Sequence, residues 1–225
     1  MLTPPAARQP ALTTLNDITP HPASPTLPAI LAGVVMGALA ASYVGAFDPG
    51  IWAMEVVPVF IALPVLAFTW ARFPLTNLLY VLIALHALVL IVGGHYSYAR
   101  VPLGFWMQEW FGWARNDYDR IGHFMQGFVP ALVARELLLR CTPLQRGGWL
   151  LTLVSAVALA ISALYELVEW GAAVALGQGA DEFLATQGDP FDTQSDMAMA
   201  LIGALVAQAV LSRWQDRQMR TLPAR

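Results

Sequence analysis

Six stretches of roughly 20 apolar residues, each long enough to cross a lipid bilayer, follow one another along this chain. They run about Leu27–Phe47, Ile51–Trp70, Leu75–Gly94, Ile121–Leu139, Gly148–Ala175 and Thr193–Leu211. In lipid a chain must satisfy its backbone polar groups internally, which leaves helices for segments of this length. The expected fold is therefore all-α: a polytopic membrane helix bundle of about six transmembrane helices. Charge agrees, since only 12% of the 225 residues are charged, against roughly 25% in soluble domains. A net charge of −3, with no basic stripe and no zinc-finger spacing, argues against nucleic acid. Cys141 is the single cysteine, so no intrachain disulfide forms.

Three regions follow. Residues 1–27 carry Pro4, Pro5, Pro10, Pro20, Pro22 and Pro25 without apolar periodicity, the pattern of an extended, disordered tail. Residues 28–212 form the transmembrane domain and 213–225 a basic cytoplasmic tail. Ala38-Leu39-Ala40 resembles a signal-cleavage site, but the preceding tail is long and poorly basic, and no cleavage is expected. Pro58 and Pro64 should kink the second span or make it re-entrant. Trp106, Trp110 and Trp113 fall at roughly helical spacing and mark an interfacial helix. Gly33 and Gly37 form a Gly-x-x-x-Gly, a weak signal of tight helix packing. All 12 basic residues are arginines. With both termini inside, nine of them fall on the inner side and only Arg100, Arg115 and Arg120 on the outer, which sets an N-in, C-in topology.

That topology brings polar groups from separate spans to one depth near the outer face. Glu55 starts span two, His95 ends span three with His86 deeper, and Asp119 and His123 open span four. Glu166 and Glu169 lie in the outer third of span five, and Asp192 and Asp196 open span six. Charges at such depths are costly unless they pair, meet water or bind an ion. Asp119/His123 and Asp192/Asp196 are spaced i, i+4 and Glu166/Glu169 i, i+3, so each pair shares a face. If the last helix starts at Pro190, Asp189 is its N-cap and Asp189, Asp192 and Asp196 stack on one face.

Structural alternatives stand beside the functional ones. Asp189 reads as a cap, and Asp192 as either a first-turn dipole partner or a site residue. Asp119 has Arg115 and Arg120 as surface partners in reach. His86 reads as a hydrogen-bonded interior histidine, and Glu55 and Glu169 as headgroup-level acids needing no partner. The tyrosines after Gly93-Gly94 read as interface anchors. His123, Glu166 and Asp196 are hardest to assign to structure alone.

Gly94-His95-Tyr96-Ser97-Tyr98-Ala99, Arg115-Asn116-x-x-Asp119-Arg120-x-x-His123-Phe124, Tyr165-Glu166 and Thr186-Gln187-Gly188-Asp189-Pro190-Phe191-Asp192-Thr193-Gln194-x-Asp196-Met197 resemble the YjdF-type bacterial inner-membrane proteins. The resemblance covers most of the chain from span two onward. It implies a multi-pass protein of the inner membrane and brings no reaction with it. The order Asp-x-x-x-His, Glu, Asp-x-x-x-Asp is more distantly similar to VanZ-type membrane proteins, although Ala198, Met199 and Ala200 stand where an Asn would follow the last Asp.

The expected site is a divalent metal, Zn²⁺, Mn²⁺ or Fe²⁺, held among His95, Asp119, His123, Glu166, Asp192 and Asp196. Glu166, Asp196 and Arg120 are the candidate catalytic groups, Arg120 for an anionic headgroup. The matching activity is hydrolysis or transfer on a lipid or lipid-linked envelope substrate. Two alternatives use the same residues: an ion- or proton-coupled binding or transport protein, and a purely structural polar cluster.

Overall fold

The computed structural model describes residues 25–176 and 186–222. Within them lie eight α-helices: α1 Thr26–Tyr43, α2 Pro49–Glu55, α3 Val57–Thr69, α4 Asn77–Tyr96, α5 Pro102–Phe111, α6 Tyr118–Cys141, α7 Gly148–Leu176 and α8 Asp192–Met219. A 3-10 turn spans Tyr98–Arg100, and no strand occurs among the described residues. Residues 1–24, Asp181 and Glu182 lie outside them.

α1, α4, α7 and α8 are long and apolar enough to cross a membrane, and α2 with α3 makes a fifth candidate, bent by 42°. The bend answers to Pro58, which lacks the N–H that would bond to the Met54 carbonyl and whose ring crowds that oxygen. Asp48, expected to end the first span, also starts α2: its Oδ1 accepts from Gly50 N at 2.7 Å and Ile51 N at 2.9 Å.

A sixth span does not follow from apolarity. α6 has 24 residues, but His123, Gln126, Arg135 and Glu136 make it more polar than its neighbours. Its position explains this: α6 is the central helix, packed on α4, α7 and most extensively on α8. A helix wrapped by other helices presents little surface to lipid and can carry polar groups inward. α8 also runs past Leu211 to Met219, with Gln215 fully buried, so part of the expected tail belongs to the bundle.

Glycines set the packing at two places. A Cβ on Gly127 of α6 would collide with the Ala200 carbonyl of α8, and one on Gly203 with the Phe124 carbonyl. Backbone therefore meets backbone, the close approach that small residues permit between membrane helices. Tyr98 is buried, its ring wedged against Gly93 of α4 and Gly122 of α6. It is not an interface anchor, unlike the half-exposed Tyr96. The Gly-x-x-x-Gly of α1 has no such role within the chain: a Cβ at Gly33 or Gly37 meets no atom within 4 Å. Exposed Trp106 and Trp110 on α5 suit an interfacial helix.

One end of the bundle is closed by a buried charge network. Glu136, with no exposed surface, accepts from Thr76 N at 3.1 Å, Thr76 Oγ1 at 2.8 Å and Arg140 Nη1 at 2.8 Å. Arg140 also donates to the Pro74 carbonyl at 2.7 Å and lies 3.8 Å from the centre of the Phe73 ring. Arg135 joins Gln215 at 3.0 Å and Asp216 at 2.9 Å. Every carboxylate here has its counter-charge.

Gly127→Val should lower the thermal unfolding midpoint in detergent, overpacking of this kind costing about 1–3 kcal/mol or more, whereas Gly33→Val should leave it unchanged. Glu136→Leu strands Arg140 in the interior and should cost about 3 kcal/mol or more, measured in the same assay.

Candidate functional site

The polar groups gather at the opposite end of the bundle. α6 supplies Asp119 and His123, α7 supplies Tyr165, Glu166 and Glu169, α8 supplies Asp192 and Asp196, and α2 supplies Glu55. Because α6 and α8 touch through backbone at Gly127 and Gly203, the residues one to two turns away on each helix face each other across a short gap.

His123 is the hub. Its Nε2 lies 3.5 Å from Asp119 Oδ1 and 3.9 Å from Asp196 Oδ2; its Nδ1 lies 3.6 Å from Glu166 Oε1 and 3.2 Å from Gln126 Oε1. The Tyr165 ring meets the imidazole edge-on, with centroids 6.3 Å apart. Asp196 is 2% exposed and His123 4%, so water contributes little to their solvation. Gln126 Oε1 is in hydrogen-bond reach of Nδ1, and a neutral ring that donates there would turn its Nε2 lone pair to Asp119 and Asp196. Asp196 Oδ1 and Glu166 Oε1 are buried without a hydrogen-bond partner. Buried carboxylate oxygens without donors are costly, and a cation at Asp196 would supply the missing charge.

Two groups of donors lie within 4.8 Å of one another: Asp119, His123 and Asp196, and His123, Glu166 and Glu169. The first fits a metal better. It uses the nitrogen that Gln126 leaves free, and an outer hydrogen bond of that kind fixes the ring as it does at metal-bound histidines. The second needs the nitrogen in reach of Gln126.

Asp192 stands beside this group in an ion pair, 2.6 Å from Arg115 Nη2. α8 begins at Asp192 with Phe191 before it, not at Pro190, so Asp192 is its first residue. Asp189 is not the N-cap; its Oδ1 accepts from Phe191 N at 2.9 Å in a tight turn, and its Oδ2 lies 3.5 Å from Arg120. Arg120 is 3.3 Å from Asp117 as well, at the rim of the cluster. His95 stands apart, its Nδ1 2.7 Å from the Ser42 carbonyl and its ring edge-on to Tyr96. Asp119 turns to His123, while Asp117 takes Arg115 at 2.8 Å and Arg120.

Glu55 and Glu169 are not headgroup-level acids. Glu55 is 4% exposed and accepts from the Tyr165 hydroxyl at 3.4 Å, and Glu169 joins the second donor group. A lone acid in an apolar span marked Glu55, and the i, i+3 spacing marked Glu169. Nothing in the sequence marked Asp117.

The Thr186–Asp189 segment is clasped to the loop before α6. Arg115 Nη1 donates to the Thr186 carbonyl at 2.6 Å, Gln187 Oε1 accepts from Asn116 N at 3.1 Å, and Gln187 Nε2 donates to the Asn116 carbonyl at 2.7 Å. Burial opposes the Arg115 charge, but the hydrogen bonds it donates to Asp117 and Asp192 outweigh it and hold its pKa above the usual value. This guanidinium stays charged and ties the segment to Asp192. Arg115→Ala should raise amide hydrogen exchange across residues 186–192 by at least about tenfold, with exchange in α4 unchanged, the loss of two charge-assisted bonds being worth more than about 1.4 kcal/mol.

Residues 27–217 match the family model described as "Predicted membrane protein (DUF2238)". The inner membrane protein YjdF of Escherichia coli (strain K12) is 57% identical over 177 residues, covering 79% of this chain and 85% of that protein. No solved structure matches this chain. With residues 27–217 matched to that family model, the chain belongs to the predicted membrane proteins of DUF2238.

Proposed function

We propose that this protein is a metal-dependent enzyme of the inner membrane, a hydrolase or transferase acting on a lipid or lipid-linked envelope substrate. One observation carries the reading: His123 Nε2 faces Asp119 and Asp196, and a buried oxygen of Asp196 has no donor. The Glu136 carboxylate at the other end, by contrast, accepts from Thr76 and Arg140 through both oxygens.

Asp119, His123 and Asp196 would hold the ion, and a mixed oxygen and nitrogen set suits Zn²⁺, Mn²⁺ or Fe²⁺. Such an ion supplies a water of lowered pKa and polarises a phosphoryl or carbonyl oxygen. Gln126 keeps the His123 ring in the tautomer with Nε2 free. Glu166, 3.6 Å from Nδ1 on the side of the imidazole away from the ion, would act on the site through the His123 ring. Arg115 fixes Asp192 at the edge of the site, and Arg120, 36% exposed on its side chain, stands at the rim beside Asp117 and Asp189. The arginine distribution favours a periplasmic position for this end, and the relative's description as an inner membrane protein supports the compartment.

Purified protein saturated with Zn²⁺, Mn²⁺ or Fe²⁺ and then desalted should retain stoichiometric metal by elemental analysis. His123→Ala and Asp196→Asn should lose it while keeping the wild-type helical circular dichroism. Wild-type protein that emerges metal-free from all three ions overturns the reading.

A further inference from the structure

Beneath the cluster lies a crevice of about 430 Å³, within the ~300–1,000 Å³ usual for small-ligand sites. It follows one face of α6 from Asp119 through Gly122, His123, Gln126, Val129 and Val133 to Leu137, about 27 Å at the helical rise. α7 adds Val157, Ile161, Tyr165 and Glu169 from one face. The bend between α2 and α3 makes the space: α2 packs along α4, whereas α3 turns 42° away and touches it little. Val65, Val157 and Ile161, on the lining, are exposed, so the crevice opens sideways, where bilayer chains lie.

Its two halves differ in chemistry. The end at the cluster presents Glu55, Asp119, His123, Tyr165 and Glu169; the other end, toward Leu75, Val133 and Leu137, is aliphatic. Between them His86 lines the wall, and its buried Nε2 has no hydrogen-bond partner. A water-filled passage would not be aliphatic along half its length, and an apolar filler would leave His86 Nε2 without a partner. The occupant needs a long hydrocarbon chain and polar hydrogens at one end. Carboxylates and a tyrosine hydroxyl accept from hydroxyl groups, whereas the acidic lining repels an unscreened phosphate.

We infer that the crevice binds the alkyl chain of a membrane lipid whose head carries hydroxyl groups, glycerol or sugar, with the head at Glu55, Tyr165 and Glu169. The inference deepens the proposed function by naming its substrate class and rests on that reading for the chemistry alone. Chain binding rests on the crevice, metal binding on the cluster, so each can fail separately.

The test is photolabelling in phosphatidylethanolamine/phosphatidylglycerol nanodiscs with a long-chain alkyl glucoside bearing a diazirine at mid-chain. Peptide mass spectrometry should place the label on Val133, Val157 or Ile161, and unlabelled alkyl glucoside should compete. Val133→Trp and, independently, Ile161→Trp fill the crevice and should cut labelling at least about fivefold with metal content unchanged. His123→Ala should lose metal and keep the label. Label spread evenly over outward-facing Leu164 and Val210, indifferent to both tryptophans, overturns the chain site. Equal labelling by a probe of the same chain with a trimethylammonium head overturns the hydroxyl-bearing head.

Discussion

Where α6 and α8 cross, the two backbones are in contact. Gly127 against Ala200, and Gly203 against Phe124, leave no room for a side chain on either glycine, and Ala200, Ala204 and Ala207 are fully buried along the same helix. Lipid gives apolar helices little reason to associate, so association depends on close packing of this kind. The crossing also decides the chemistry. It sets Asp119 and His123 opposite Asp192 and Asp196, at distances where carboxylates and an imidazole act on one another.

Buried charge at the two ends of the bundle follows opposite rules. Around Glu136, donors from α6, α8 and the loop before α4 leave the carboxylate fully engaged, the condition under which a buried ion is tolerated. Around His123, acids outnumber the basic groups that face them. Arg115 and Arg120 are already taken by Asp117, Asp189 and Asp192, while Asp196 Oδ1 and Glu166 Oε1 go without donors. Both ends carry charge, but acids are in excess over facing cations only around His123.

The polar end and the crevice below it form one continuous feature, because the same face of α6 lines both. Pro58 and the bend at Val56 keep α3 from closing that face. A straight second helix would pack along α4 and fill the space. The proline that looks like a defect in an apolar span therefore shapes the access.

The sequence alone determined what depends on local chemistry and length. Apolar runs of bilayer length made the chain all-α and membrane-bound, Pro58 announced a break, and helical spacing paired Asp119 with His123 and Asp192 with Asp196. Arginine placement brought the acids of separate spans to one end. Facing partners were not legible, because side-chain direction depends on how each helix is rotated and how closely it approaches its neighbours. Only the tertiary structure joined Glu55 and Glu169 to the cluster, turned His95 to Ser42, gave Asp117 the arginines and Asp119 the histidine, and started α8 at Asp192. The glycines show the same division: Gly33 and Gly37 carry the recognisable spacing and meet nothing, while Gly127 and Gly203, without it, hold the bundle together, since close approach belongs to two helices and neither sequence states it alone.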